Sequence, residues 1–575
     1  MPGPAVLSEA IGIVGAGVAG LISAHVLLKD GFTDITLISR DKSVGGTWAR
    51  HRVYPGLYIN NVHGEYRLSG LEMPLPENAA RVGGRLSGTD MCEYMEKYSA
   101  TFLEGKVKFM LQTEVLDISR NAEGKWSVRV ENAQSRAREV LAFSRIILAT
   151  GGCSNPKIPA ELSPRAAEDT GYKGLVIHSS QFASRLDDIL AAVKPRESED
   201  TDDEERVLVI GGGKSSQDIC TKLAIEGRKV TMVFDTTDVF LGTASPLPDF
   251  LRKSRFLAVL SGYCSLNTRL ERFLHTTSIG SAINHFIWRK LGESSFDAFQ
   301  VPQNSPLRRT HPMFWGIRLS DDGNYRPDCF HALVNTGAID IISPARVEGY
   351  SKDGKSLVVS DGTIVSPKAV LLATGYQSSW SDIFATKMAE ELGINRHAPH
   401  TTIEATWDNY KSLKNPPALK PEHKLWTTSI YRGIVPAKNI ERRDFAIAGA
   451  LFSANLGYTN EVVAHWIASY FRGDKMHLPT SAEEAIAKAE EKAHWMKVRF
   501  PDMVSWVNES YSTSFDFWSW PQAADELLND MYLPGMRSGG NWLNWVFKVI
   551  DLKEIENLTD EREIKQKELS SLQHP

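Results

Sequence analysis

Two stretches of the chain repeat one pattern of apolar and polar positions. Each runs from a short apolar segment into glycines, then a helix-compatible segment, then a second apolar run. The first is IGIVGAGVAGLISAHVLLKDGFTDITLIS, residues 11–39, and the second is RVLVIGGGKSSQDICTKLAIEGRKVTMVF, residues 206–234. Unbroken apolar runs such as residues 207–210 suit strands covered on both faces, as in parallel sheets. The pattern predicts an α/β fold with two Rossmann-like strand–turn–helix–strand units.

Between and beyond these units the periodicity changes. Residues 250–295 are amphipathic and read as helices inserted on the second unit. SLVVSDGTIVSPKAVLLATGY, residues 356–376, returns to strands, with Asp361-Gly362 as the hairpin signal. EVVAHWIASYFRG reads as a helix stopped by Gly473, and Ser481 with Glu484 as a capping box opening the next one. The last hundred residues carry Trp506, Trp518, Trp520, Trp542 and Trp545 and read as a helical, packed tail; a substrate lid or membrane-resting face is the alternative. The final segment, EREIKQKELSSLQHP, is polar enough to fray, and the acidic run at residues 194–206 reads as a surface loop.

Composition narrows the classes. A chain of 575 residues exceeds one ordinary core and splits into domains. Net charge of -5 gives no basis for nucleic-acid binding. Five scattered cysteines without a CxxC exclude a disulfide frame and point to reduced thiols in a cytoplasmic setting. No metal-ligand spacing is visible, so no metal is expected. The uncharged stretch at residues 11–28 is interrupted by Gly12, Gly15, Gly17 and Gly20, which fits a strand and turn and not a transmembrane span.

The glycines carry the candidate chemistry. Gly15 permits the turn, Gly17 lets backbone N–H groups approach a pyrophosphate, and Gly20 lets helix and strand pack closely; Val18 and Ala19 open the helix. The acid expected to hold a ribose diol falls at Ser39, followed by Arg40 and Asp41, which can substitute if the turn bends back. In the second unit Gly211, Gly213 and Ser216 take the three positions, with Lys214 and Ser215 as donors at the helix start. The offset that gave Ser39 lands here on Asp235, an acid that favours a free ribose diol and hence NAD. Lys214, Arg228 and Lys229 are the cations nearby in sequence, and none is an obvious counter to it.

Further motifs follow: GGTW at residues 45–48, YPGLYINN at residues 54–61, YKGLVIHSSQF at residues 172–182, and the two turns ILATGG and LLATGY. Together with the glycine turns, this set resembles the flavin-containing monooxygenase family over residues 10–475. The resemblance implies FAD in the first cradle, with Gly46, Thr47 and Trp48 beside the flavin. It places Asn61, with Asn60 adjacent, near the isoalloxazine edge where oxygen reacts, and makes Asn61 the candidate catalytic residue. Read alone, the Asn pair equally suits a turn. The resemblance puts a nicotinamide dinucleotide on the second cradle, with Ser215, Ser216, Gln217 and Asp218 in its turn, and favours NADP over NAD. His178 is expected to couple the domains; Arg326 and Arg432 are expected to form ion pairs or backbone contacts, with contact to substrate or cofactor as the alternative.

The implied layout is a first FAD segment (1–165), an NAD(P) domain (166–350), a second FAD segment (351–475) and a helical extension (476–575). The implied reaction is NAD(P)H reduction of FAD, addition of O2 at flavin C4a, and transfer of one oxygen from that hydroperoxide to a soft N or S atom. The absence of an Arg-Cys-Asp after the YPG segment argues against ketone insertion. A Baeyer–Villiger-type oxygenase and an NAD(P)H oxidase are the alternative readings, and a non-catalytic scaffold a remote one. A small substrate and O2 are the expected partners; a homodimer is compatible with the sequence.

Overall fold

The computed structural model describes residues 4–196, 205–243, 247–320, 323–400, 407–419, 426–501, 503, 507–510 and 513–572. Two five-stranded parallel sheets organise the chain. The first has the order Phe445–Ile447, Arg145–Leu148, Ile11–Val14, Ile35–Ile38, Lys108–Met110. The second has the order Leu175–His178, Ala369–Leu372, Arg206–Ile210, Lys229–Val233, Ile339–Ile342. The interior strands Ile11–Val14 and Ala369–Leu372 are buried along their whole length, which is why they read as unbroken apolar runs. The helices Val18–Lys29 and Lys214–Ile225 follow the glycine turns of the two sheets.

The first sheet is discontinuous, because its edge strand Phe445–Ile447 arrives only after the second sheet is complete. Boundaries at 166 and 351 need correcting. The strand Ala369–Leu372 sits between two strands of the second sheet, and the meander Val347–Tyr350, Leu357–Val359, Ile364–Val365 packs on that sheet's core with Leu162 and Ala167. The true crossings are the two ATG turns. The chain leaves one sheet after Leu148 and the other after Leu372, and the two crossing segments pair antiparallel, Asn155 with Gln377 and Pro156 with Tyr376. His178 closes this seam: its Nε2 lies 3.0 Å from the Gly375 carbonyl, and its ring meets Tyr376 edge-on.

The inserted segment forms four helices, Asp249–Arg252, Phe256–Ser261, Arg269–Thr276 and Ser278–Ala298. Their core continues into the C-terminal extension: Trp288, Met313, Phe314 and Trp315 pack with Met496, Phe515 and Trp518. Ser481 caps the helix Ala482–Arg499 by accepting from the Glu484 N–H, but Glu484 turns its carboxylate to Thr480, so the reciprocal bond of a capping box is not made. The polar terminal segment expected to fray forms the helix Leu558–Ser571. Arg562 in that helix is buried and bonds both oxygens of Asp30, at 2.7 and 3.0 Å. Trp506 lies outside the described residues, as do residues 197–204 of the acidic run. Among the described residues, no helix is long and apolar enough to cross a membrane.

Candidate active site

The first glycine turn shows which positions tolerate no side chain. Gly15 has φ +119, and a Cβ there would strike the Ala149 carbonyl; one at Gly20 would strike the Gly15 carbonyl. Gly17 differs: it caps the helix Val18–Lys29, and a Cβ there would have only Gly46 Cα near it, at 3.6 Å. It is bare because it faces a cavity of about 460 Å³. That cavity is lined by Gly15, Gly17, Val18, Ala19, Ser39, Arg40, Gly46, Thr47 and Trp48, and by the first ATG turn. A helix N-terminus in the wall of a cavity this size is the arrangement that accepts a dinucleotide pyrophosphate. The residues present therefore fit FAD.

At the far strand end, Ser39 Oγ accepts from the Asp41 N–H at 3.3 Å. Arg40 donates to the Ser154 carbonyl. Burial opposes ionisation of Asp41, but His51 and Arg52 outweigh it and hold its carboxyl below the usual carboxylate range; the Arg52 contact is 2.8 Å. Asp41 does bend back to line the cavity, already paired.

A second, smaller cavity of about 140 Å³ abuts the first, sharing Gly449 and Leu456 as walls. Asn60, Asn61, Leu241, Leu319, Phe452 and Trp518 line it. Asn61 Nδ2 donates to the Ala454 carbonyl at 2.7 Å, and Asn60 Nδ2 to the Leu319 carbonyl at 2.9 Å. The strand Tyr58–Val62 holds both amides. The same wall carries an ion pair not anticipated from sequence: Arg252 Nε meets Glu65 Oε1 at 2.7 Å, and both side chains are nearly inaccessible. Glu65 also accepts from the Val62 N–H and from Asn61 Nδ2, so one carboxylate orients the loop and its amide. The tail supplies Phe517 and Trp518 as apolar walls; Trp542 is 82% exposed and takes no part in this cavity.

The second glycine turn has the same backbone frame. Gly211 has φ +131, and a Cβ there would strike the Ala373 carbonyl. Gly213 caps the helix Lys214–Ile225. Ser216, at the third position, is fully buried, and its hydroxyl finds no hydrogen-bond partner. Gln217 is also buried and donates to Thr237 at 3.0 Å, so its amide serves the turn itself. Lys214 and Asp218 form an ion pair with each other. Ser215 is exposed at the helix start.

Asp235 stands at the strand end, with Arg346 at 2.9 Å and Arg309 at 3.8 Å. These are the counter-charges missing from the sequence reading. Of the cations named there, Arg228 is spent on the Val193 and Leu190 carbonyls, each at 2.9 Å, and Lys214 on Asp218. Arg432 pairs with Glu526 and Asp530, and Arg326 with Asp328, as expected.

Among the described residues, the sole grouping with metal-ligand geometry is His397, His400 and Glu490. It closes on itself: His397 Nδ1 lies 2.7 Å from the Ala398 carbonyl, Ser429 Oγ 3.0 Å from His397 Nε2, and His400 Nδ1 2.9 Å from Glu490.

Comparison with known proteins agrees with this geometry. Residues 10–254, spanning both glycine turns, match the pyridine nucleotide-disulphide oxidoreductase family. The FAD-dependent monooxygenase DEP4 of Fusarium langsethiae is 24% identical, over 94% of this chain and 93% of its own length. The chain is a relative of the FAD-dependent monooxygenases. Flavin-containing monooxygenase 5 of Cavia porcellus is 22% identical over 84% of this chain and 77% of its own. The fold matches an open crystal structure of cyclohexanone monooxygenase with a TM-score of 0.55 at 16% identity, over 91% of this chain and 98% of that one. All five cysteines are free, and none forms a CxxC.

Proposed function

We propose that this relative of the FAD-dependent monooxygenases uses NAD(P)H to transfer one oxygen atom from O2 to the nitrogen or sulfur of a small organic substrate. The observation that carries the reading is the small cavity at Asn61: it shares Gly449 and Leu456 with the first dinucleotide cavity, and three of its other wall residues, Leu241, Ile317 and Leu319, come from the segment inserted in the second unit. In this reading Gly15, Gly17, Val18, Ala19, Gly46, Thr47 and Trp48 hold FAD, with Gly20 packed behind them against the Gly15 carbonyl, while Gly211, Gly213, Lys214 and Ser215 hold the nicotinamide dinucleotide. Bound FAD would supply the redox and oxygen chemistry. The protein's part is orientation and exclusion of water. Asn61 offers an uncharged donor and acceptor at the cavity wall, and Phe452, Phe517 and Trp518 keep it dry.

The test is anaerobic mixing with NADPH and with NADH, followed by oxygen and candidate amines and sulfides. Flavin bleaching by one nucleotide, then oxygen uptake matched by oxygenated product, is the expected result. Oxygen uptake that yields peroxide without product for every substrate would make the protein an oxidase.

A second reading is favoured by one feature, the Arg252–Glu65 pair beside Asn61. A guanidinium at the cavity wall suits a carbonyl substrate, whose oxygen gains negative charge on attack. Ketones assayed for ester or lactone formation distinguish it.

A further inference from the structure

The two glycine turns share a backbone frame but differ in what faces the helix N-terminus. At the first, Gly17 looks onto an open cavity. At the second, the atoms facing Gly213 are the two carboxylate oxygens of Asp238, 3.7 and 3.9 Å from where its Cβ would stand. Asp238 Oδ2 accepts the Lys214 N–H at 3.0 Å and the Ser320 hydroxyl at 3.3 Å, and Arg318 pairs with Oδ1. The carboxylate is 6% exposed and the guanidinium 14%. An anion thus already sits where helix partial charge and backbone N–H groups favour one.

We propose that Asp238 and Arg318 control admission of the nicotinamide dinucleotide: Asp238 holds the phosphate seat of the second cradle, and Arg318 is the cation that an arriving pyrophosphate takes over. The proposal rests on the two-cofactor reading above. A carboxylate and a pyrophosphate cannot share one set of N–H donors, because like charges repel strongly where water is scarce. Binding therefore turns Asp238 out of the seat. Arg318 loses its partner in the same movement and gains a stronger one, since guanidinium groups bind phosphate oxygens in bidentate fashion. Burial pushes the Asp238 carboxyl above the usual range, against the pull of Arg318 and the Lys214 N–H, so its charge is held there at a cost.

The exchange reaches the reaction cavity. Arg318 lies between Ile317 and Leu319, and Leu241 follows Asp238 by three residues; all three apolar residues line the small cavity. Strands Val239–Phe240 and Leu319–Ser320 pair with each other, and the Leu319 carbonyl holds Asn60. Moving the Asp238–Arg318 pair shifts the wall opposite Asn61. Seating the nucleotide and shaping the substrate cavity become one event.

Asp238→Asn tests this. It keeps an oxygen acceptor for the Lys214 N–H and removes the charge. Anaerobic flavin reduction across NADPH and NADH concentrations should show the apparent Kd falling about tenfold for both, with the limiting rate changed less than twofold. Arg318→Met should raise the Kd about tenfold. Flavin absorbance and Tm report folding, and Asp238→Ser repeats the test if the amide variant is unstable. An unchanged or weaker Kd in a folded, flavin-bearing Asp238→Asn protein overturns the proposal. If neither nucleotide reduces the wild-type flavin, the two-cofactor reading itself fails, and the proposal with it.

Discussion

At the scale of single residues, Asn61 makes the sharpest claim. Its amide is fixed by the Ala454 carbonyl and steadied by Glu65, at 2.7 and 3.4 Å, and belongs to neither glycine turn. Asn61→Ala should therefore leave FAD content and anaerobic reduction within twofold of wild type. On the proposed role of Asn61, product formation should fall about tenfold or more while peroxide release rises. Equal losses in reduction and product would remove Asn61 from that step. The amide was legible because the YPGLYINN motif carries it within one strand and its turn. The Glu65–Arg252 pair beside it was not, since its partners lie 187 residues apart and no local pattern joins them.

At the scale of elements, the strands and glycine turns were readable because parallel-sheet burial and positive φ leave local signatures: continuous apolar runs and obligatory glycines at Gly15 and Gly211. Sheet membership was not readable. Ala369–Leu372 is as apolar as any strand of the first sheet, and only topology puts it in the second, which is why the 351 boundary fell too early. Cofactor preference has the same character. Asp235 alone favours a free ribose diol, yet Arg309 and Arg346 reach it from separate loops and leave the strand end net positive. An exposed acid–arginine pair adds little to stability, so this grouping is better suited to meeting a 2′-phosphate. Replacing both arginines with alanine should lower the preference for NADPH over NADH about tenfold or more, with little change in Tm. An unaltered ratio of kcat/KM values would place nucleotide choice elsewhere.

At the scale of the whole molecule, the tail closes the structure on itself. Tryptophan-rich composition signalled burial, which holds for Trp518 and Trp520, while Trp545 is half-buried and Trp542 is exposed. Composition could not say that the polar last helix docks as well, because its anchors are few and mostly polar: the buried Arg562, and Gln566 with two hydrogen bonds to the Lys475 backbone, beside Leu558 in the core. Arg562 is 1% exposed and joins Asp30 at the end of the helix Val18–Lys29, where Arg472 adds a second cation at 3.5 Å. Breaking a buried pair costs more than the pair contributes, because the surviving charge stays desolvated. Arg472 lightens that burden here, so Arg562→Met should cost about 3 kcal/mol, at the lower end of the range for such breaks. The loss should be local first. Residues 558–571 should become the earliest site of limited proteolysis, while flavin content at low temperature is retained, since the FAD cavity draws no residue from this helix. Adding Asp30→Asn to the Arg562→Met protein should recover part of the loss, because the buried carboxylate left with only the longer Arg472 contact is then gone. If the double variant is as labile as the single one, the helix is held by its apolar contacts at Leu558 and not by the charge pair.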